Sequence, residues 1–206
     1  MDQANGNALW ADSIRKEMQN SGIVFQLLER GERPLPGHKE ITCHLVFDIK
    51  LDMSGRARYV AGRHLSSVPT YMTHSSVISC DTVRIGFLIA ALNDLQEVLT
   101  GDTQNAFLSA PTKERIYFYA GDKWKTDKDK IVVVVRALYG LKISALQFQN
   151  FVADTLGNKL GFKPSLADPD IWIKLAMTKN GFKYYTYILV YIDGLLIIEK
   201  EPSHHI

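Results

Sequence analysis

The stretch over residues 184–198 is the most apolar in the chain, and Asp193-Gly194 interrupts it. An aspartate and a glycine between two runs of β-branched and aromatic residues signal a two-residue hairpin turn, of the type I′ class with positive φ at both central positions. Residues 183–190 are therefore expected as one strand and residues 195–199 as the strand that pairs back on it. The same interruption leaves the run too short to span a bilayer. A second aspartate, Asp102, opens Asp102-Thr103-Gln104-Asn105-Ala106-Phe107-Leu108 at the end of another expected strand, far upstream. Only a fold that pairs these two strands brings Asp102 and Asp193 together.

Between these points the pattern is mixed. Leu9, Trp10, Ile14 and Met18 recur near helical spacing, which predicts an amphipathic helix over residues 8–20. Residues 31–37, with Pro34 and Pro36, read as a loop. Residues 41–51 and 58–61 read as strands joined by a turn at Asp52-Met53-Ser54-Gly55. Residues 66–79 read as a loop. Asp81 is the expected cap of a helix carrying Ile85, Leu88, Ile89, Leu92 and Leu95. A charged surface turn over 121–130 precedes an apolar strand over 131–135. A helix over 144–160, closed by Gly161, leads to strands at 171–175 and 183–190. Helices interleave with strands but hairpins dominate, which predicts an α+β domain.

Bulk properties narrow the class. The 206 residues suit one domain, and 46% hydrophobic with 22% charged residues is a globular composition. A net charge of +2 is too small to demand a nucleic-acid partner. Cys43 and Cys80 are too few for a disulfide framework or a four-cysteine zinc site, and are expected as reduced, buried thiols. The first eight residues lack the basic-then-apolar order of a signal peptide. The expectation is a soluble, intracellular protein without a membrane segment.

Several short motifs then follow one another in order. They are Trp10-Ala11 with Glu17-Met18; Gly55-Arg56-Ala57-Arg58-Tyr59-Val60-Ala61-Gly62; and Asp102 through Phe107-Leu108 with Glu114 and Ile116-Tyr117. Next come Arg136-Ala137-Leu138-Tyr139-Gly140-Leu141-Lys142; Leu160-Gly161-Phe162 with Asp168-Pro169-Asp170; and Tyr191-Ile192-Asp193. In this order they resemble the reverse transcriptase (RNA-directed DNA polymerase) of copia-type LTR retrotransposons, encoded within a pol polyprotein. The resemblance implies a right-hand polymerase fold, with an antiparallel palm sheet packed on helices. Residues 1–206 would be a single reverse transcriptase domain fragment: about 8–97 mostly fingers, about 98–200 palm with a fingers insertion.

The resemblance also implies roles. Asp102 and Asp193 would be catalytic metal ligands, helped by the backbone carbonyl of Thr103, for two Mg2+ ions. Hard cations of this kind take carboxylate and carbonyl oxygens together with substrate phosphates. Arg56 and Arg58 would meet the triphosphate, where guanidinium forks suit phosphate oxygens. Phe107 would lie under the incoming sugar as a gate against a 2′-hydroxyl, and Gly140 would let backbone approach the nucleotide or template. The implied partners are an RNA or DNA template-primer, deoxynucleoside triphosphates and other pol-derived chains, and the implied location is cytoplasmic particles.

The chain also departs from the pattern. Gly194 stands where the family has a second consecutive aspartate, so a degenerate active site is expected on a hairpin that glycine leaves comfortable. A thumb and an RNase H domain would follow the palm, and neither is in this sequence, so little processive activity is expected. Arg63 replaces a small residue after the fingers strand. His204-His205 is expected to be an exposed pair at the chain end. Two readings remain open: an impaired polymerase, or a non-catalytic or domesticated palm scaffold that binds nucleic acid or protein.

Overall fold

The computed structural model describes residues 2, 6–62, 76–95 and 97–200. Arg63, His204-His205 and most of the expected 66–79 loop lie outside the described residues. In chain order the first elements are α1 (Leu9–Asn20), β1 (Phe25–Leu27), β2 (Lys39–Glu40), β3 (Cys43–Ile49), β4 (Gly55–Ala61), α2 (Cys80–Leu92) and β5 (Glu97–Asp102). They are followed by α3 (Ala106–Ser109), β6 (Ile116–Tyr119), β7 (Ile131–Val134), α4 (Ser144–Asp154), β8 (Lys163–Pro164), β9 (Ile171–Met177), β10 (Lys183–Tyr191) and β11 (Gly194–Glu199). This mixture of helix and sheet fits the expected α+β class. Two compact units share the chain: Met1–Thr73 with Phe107–Phe148, and His74–Ala106 with Gln149–Ile206.

Unit 1 contains two small sheets. One has the strand order β1-β7-β6-β2 and the other is the β3–β4 hairpin. The hairpin turns where the sequence predicts, with Met53 at φ 62° and the Asp52 carboxylate accepting from the Ser54 amide. Along β4 burial alternates: Ala57, Tyr59 and Ala61 are buried, whereas Arg56 and Arg58 lie on the other, less covered face. Tyr59 joins Phe25, Phe118 and Trp124 in an aromatic core of mostly edge-to-face pairs. The Trp124 indole N–H donates to the Tyr59 hydroxyl at 3.1 Å, which satisfies the polar ends of both rings.

Unit 2 is built on one five-stranded antiparallel sheet in the order β5-β11-β10-β9-β8. Its central strands are apolar on both faces because both are covered. Leu189 and Ile198 pack with Ala90 of α2, while Ile188, Val190, Ile197 and Trp172 pack with Leu156 beyond α4. Asp168 accepts from the Thr82 hydroxyl, and buried Asp170 accepts from Ser76 and Gln149. The Asp168-Pro169-Asp170 motif thus ties the start of β9 to both flanking segments.

Several expectations need correction. Ser79, not Asp81, caps α2: its hydroxyl accepts the Thr82 amide at 3.0 Å, and Asp81 sits inside the first turn. Helix α4 ends at Asp154 and one π turn, Thr155–Lys159, carries the chain to Gly161. Cys80 is exposed rather than buried, while Cys43 is partly covered and burial pushes its thiol up to about 12. Helix α2 is apolar almost all round, so Ile85, Leu88 and Leu92 are exposed on its outer side. Among the described residues no helix is long and apolar enough to cross a membrane.

Candidate functional site

In unit 2, Asp102 is the last residue of β5 and pairs directly with Gly194, the first of β11. The Thr103 amide donates to the Asp193 carbonyl at 2.8 Å, which continues the ladder one step beyond the strands. Pairing of the two strand ends therefore brings Asp102, Thr103 and Asp193 together. Both aspartates are exposed, and neither carboxylate has a hydrogen bond or ion pair among the described residues. Open acceptors at the end of a rigid sheet suit the capture of a cation.

The turn that presents Asp193 is not the one the sequence predicts. Tyr191 pairs with Gly194, so the two loop residues are Ile192 and Asp193. The only positive φ is at Ile192, 53°, which matches the first central position of a type II′ turn rather than type I′. A β-branched residue is disfavoured there by about 1–2 kcal/mol. Gly194 lies in ordinary strand conformation, so its conformational freedom is not what keeps the hairpin comfortable. A Cβ at this position meets only the Tyr191 carbonyl, at 3.3 Å.

Unit 1 gathers the other candidates around one residue the sequence reading left without a role, Tyr139. The Arg58 guanidinium lies 5.8 Å over its ring, and the Phe107 ring packs against it at 5.6 Å. The Tyr139 carbonyl accepts from the Ala61 amide at 2.8 Å. Phe107, half-buried, also touches Phe148, at 5.9 Å. Gly140 has φ 89°, and a Cβ there would sit 2.3 Å from the Ala61 carbonyl oxygen. Close approach to β4 is enough to require glycine at this position. Arg56 stands one alternation before Arg58 on the same face of β4.

A family model described as reverse transcriptase (RNA-dependent DNA polymerase) matches residues 31–204. The chain belongs to this reverse transcriptase family. No curated protein matches it. The matched residues include the aspartate-bearing hairpin and the motifs from Gly55 onward, but not Trp10-Ala11 or Glu17-Met18. In this reverse transcriptase domain the two aspartates lie in unit 2, and Arg56, Arg58, Phe107 and Gly140 lie in unit 1.

The donors available to magnesium are few. Among the described residues there is no group of three or more His, Cys, Asp or Glu placed to hold a metal ion. Two carboxylates and a backbone carbonyl still fit a cation that keeps several waters and takes its remaining oxygens from substrate phosphates. The reverse transcriptase domain thus offers a reduced oxygen set, open to solvent.

Two further polar residues of unit 1, present in the sequence motifs but without an expected role, are buried or partly buried. Glu17 is 6% exposed, and its Oε1 accepts the Tyr59 amide at 2.7 Å. Glu114 has a buried Oε2 without a hydrogen-bond partner, and burial raises its carboxyl above the ordinary range, with Lys142 opposing. Glu17 follows Ser13 at helical spacing on the face of α1 turned to β4. That polar interruption, together with the place of Glu17 in the Glu17-Met18 motif, is the signal the sequence carries.

Proposed function

We propose that this chain is the fingers and palm portion of a copia-like RNA-directed DNA polymerase, with nucleotidyl transfer impaired by Gly194. In this reading about 8–97 are mostly fingers and about 98–200 are palm with a fingers insertion, so unit 1 would be mostly fingers and unit 2 mostly palm, with residues 74–97 the exception. The observation that carries the reading is the pairing of Asp102 with Gly194 beside Asp193, in a chain of the reverse transcriptase family. Asp102, Asp193 and the Thr103 carbonyl would hold two magnesium ions, which when bound activate the primer hydroxyl and stabilise the departing pyrophosphate.

The other roles belong to unit 1. Arg56 and Arg58 bind the triphosphate of an incoming deoxynucleotide. Phe107 lies under its sugar and excludes a 2′-hydroxyl, and Gly140 shapes the backbone beside them. A template-primer, other pol-derived chains and cytoplasmic particles complete the copia-like setting. A third carboxylate at position 194 would strengthen metal organisation, and its absence is expected to cost roughly a hundredfold or more in rate.

A second reading, a non-catalytic scaffold that binds nucleic acid or protein, is favoured by Gly194, which puts no carboxylate opposite Asp102. Primer extension on an RNA template with magnesium, run beside Gly194→Asp, separates the two. Extension by the variant, with the native chain at least about a hundredfold slower, supports the impaired polymerase. Equal extension by both removes Gly194 as the lesion. No extension by either leaves the scaffold.

A further inference from the structure

Strand β4 belongs to a two-stranded hairpin, so among the described residues no strand runs along its outer edge, which carries only an isolated bridge between Val60 and Tyr139. Unpaired backbone donors and acceptors on such an edge need other partners. At its far end the Ala61 amide finds the Tyr139 carbonyl at 2.8 Å. At its near end the Gly55 carbonyl accepts from the Ser13 hydroxyl at 2.9 Å. Between them the Tyr59 amide donates to Glu17 Oε1 at 2.7 Å. Ser13 and Glu17 are four residues apart on α1, so one face of the helix serves the strand edge where a third strand would lie.

The arginines alternate with these edge residues. Burial raises the Glu17 carboxyl, and the Tyr59 amide, Arg56 and Arg58 pull it back, so both guanidiniums act as counter-charges to this carboxylate. Arg58 is not saturated by its surroundings, because its Nε is buried without a hydrogen-bond partner. The buried Nε is shielded from solvent, so an incoming anion would meet the rest of the guanidinium on the half-buried face of β4.

We propose that Glu17 is the positioning residue for Arg56 and Arg58: from α1 it holds β4 in place and balances the guanidinium charge until a triphosphate replaces it. The inference rests on the reading of Arg56 and Arg58 as triphosphate-binding residues. Glutamine keeps an acceptor for the Tyr59 amide but removes the charge; alanine removes both.

The test measures binding of a fluorescent deoxynucleoside triphosphate with magnesium, and hydrogen exchange at the Tyr59 amide. It compares the full chain with Glu17→Gln, Glu17→Ala and an Arg56→Ala/Arg58→Ala double variant. Glu17→Gln should bind as tightly as the native chain or tighter, with its Tyr59 amide still protected. Glu17→Ala should bind about tenfold or more weakly, with Tyr59 exchange faster by a similar factor. A folded Glu17→Ala chain with native binding and a protected amide overturns the proposal. So does a Glu17→Gln chain that loses both. If Glu17→Ala does not fold, Glu17→Gln alone decides. If the native chain binds no better than the double arginine variant, the triphosphate reading fails and takes the purpose of Glu17 with it. The Tyr59 amide then still reports whether the brace exists.

Discussion

Asp102 and Gly194 are the terminal cross-strand pair of the β5–β11 ladder, so an exposed carboxylate faces the one residue type without a side chain. Directly paired residues point to the same face of a sheet, with Cα atoms about 4.5–5.5 Å apart. A side chain restored at position 194 would therefore stand beside Asp102 and next in sequence to Asp193.

Gly194→Asp should fold. Its backbone needs no left-handed conformation, and the new Cβ meets only the Tyr191 carbonyl, at 3.3 Å, a contact relieved by a shift of tenths of an ångström. Without divalent cation, crowding of a third carboxylate should lower stability by about 1 kcal/mol. Added magnesium should raise the Tm of the variant more than that of the native chain, because a ligand stabilises the state it binds. Thermal melts with and without magnesium check this, and equal shifts would count against a metal site here.

Ile192→Gly should be nearly neutral. Glycine removes the left-handed penalty of about 1–2 kcal/mol and costs a similar amount in chain entropy and lost contact. A loss well beyond that range in urea denaturation would mean that the isoleucine side chain, not its backbone, governs the turn.

Gly140→Ala should be among the most damaging single-methyl changes in unit 1. The added carbon would lie 2.3 Å from the Ala61 carbonyl, and the residue would keep φ 89°. Overpacking against backbone and left-handed strain together suggest a loss on the order of 3 kcal/mol. The denaturation midpoint measures it, and a native midpoint would refute the contact.

Glu114→Gln should stabilise the protein at neutral pH. Burial holds the folded carboxyl above its ordinary value of 4.5, so the fold favours the protonated form. The stability from this group is present below that value and is lost as pH rises through the folded value. The advantage of the glutamine variant should therefore vanish in acid. Melts of both chains at neutral pH and near pH 4 test the sign.

Much of this was legible in the chain itself. The spacing of Arg56 and Arg58 about Ala57 is what a strand needs to put both on one face, but the sequence pattern predicts the strand only from Arg58, whereas β4 begins at Gly55. The apolar runs flanking Asp193 gave β10 and β11 to within about a residue. Short edge strands escaped notice: β2, at Lys39–Glu40, and β8, at Lys163–Pro164, are too brief to show any period. The turn class differs from the expected one because Asp-Gly strongly prefers the loop positions of a type I′ turn, whereas pairing of Tyr191 with Gly194 shifts the loop back by one residue.

The sequence by itself determined the α+β class, the aspartate hairpin, the two strand ends that must meet and the candidate residues on them. Those features are encoded over a few neighbouring positions, where alternation and turn chemistry act. Only the tertiary structure decided that Gly194 faces Asp102, that Tyr139 gathers Arg58 and Phe107, that Gly140 must be small for β4 to pass, and that Glu17 completes the edge of that strand. Each of these joins groups distant in the chain, and the register and packing that bring them into contact exist only after folding.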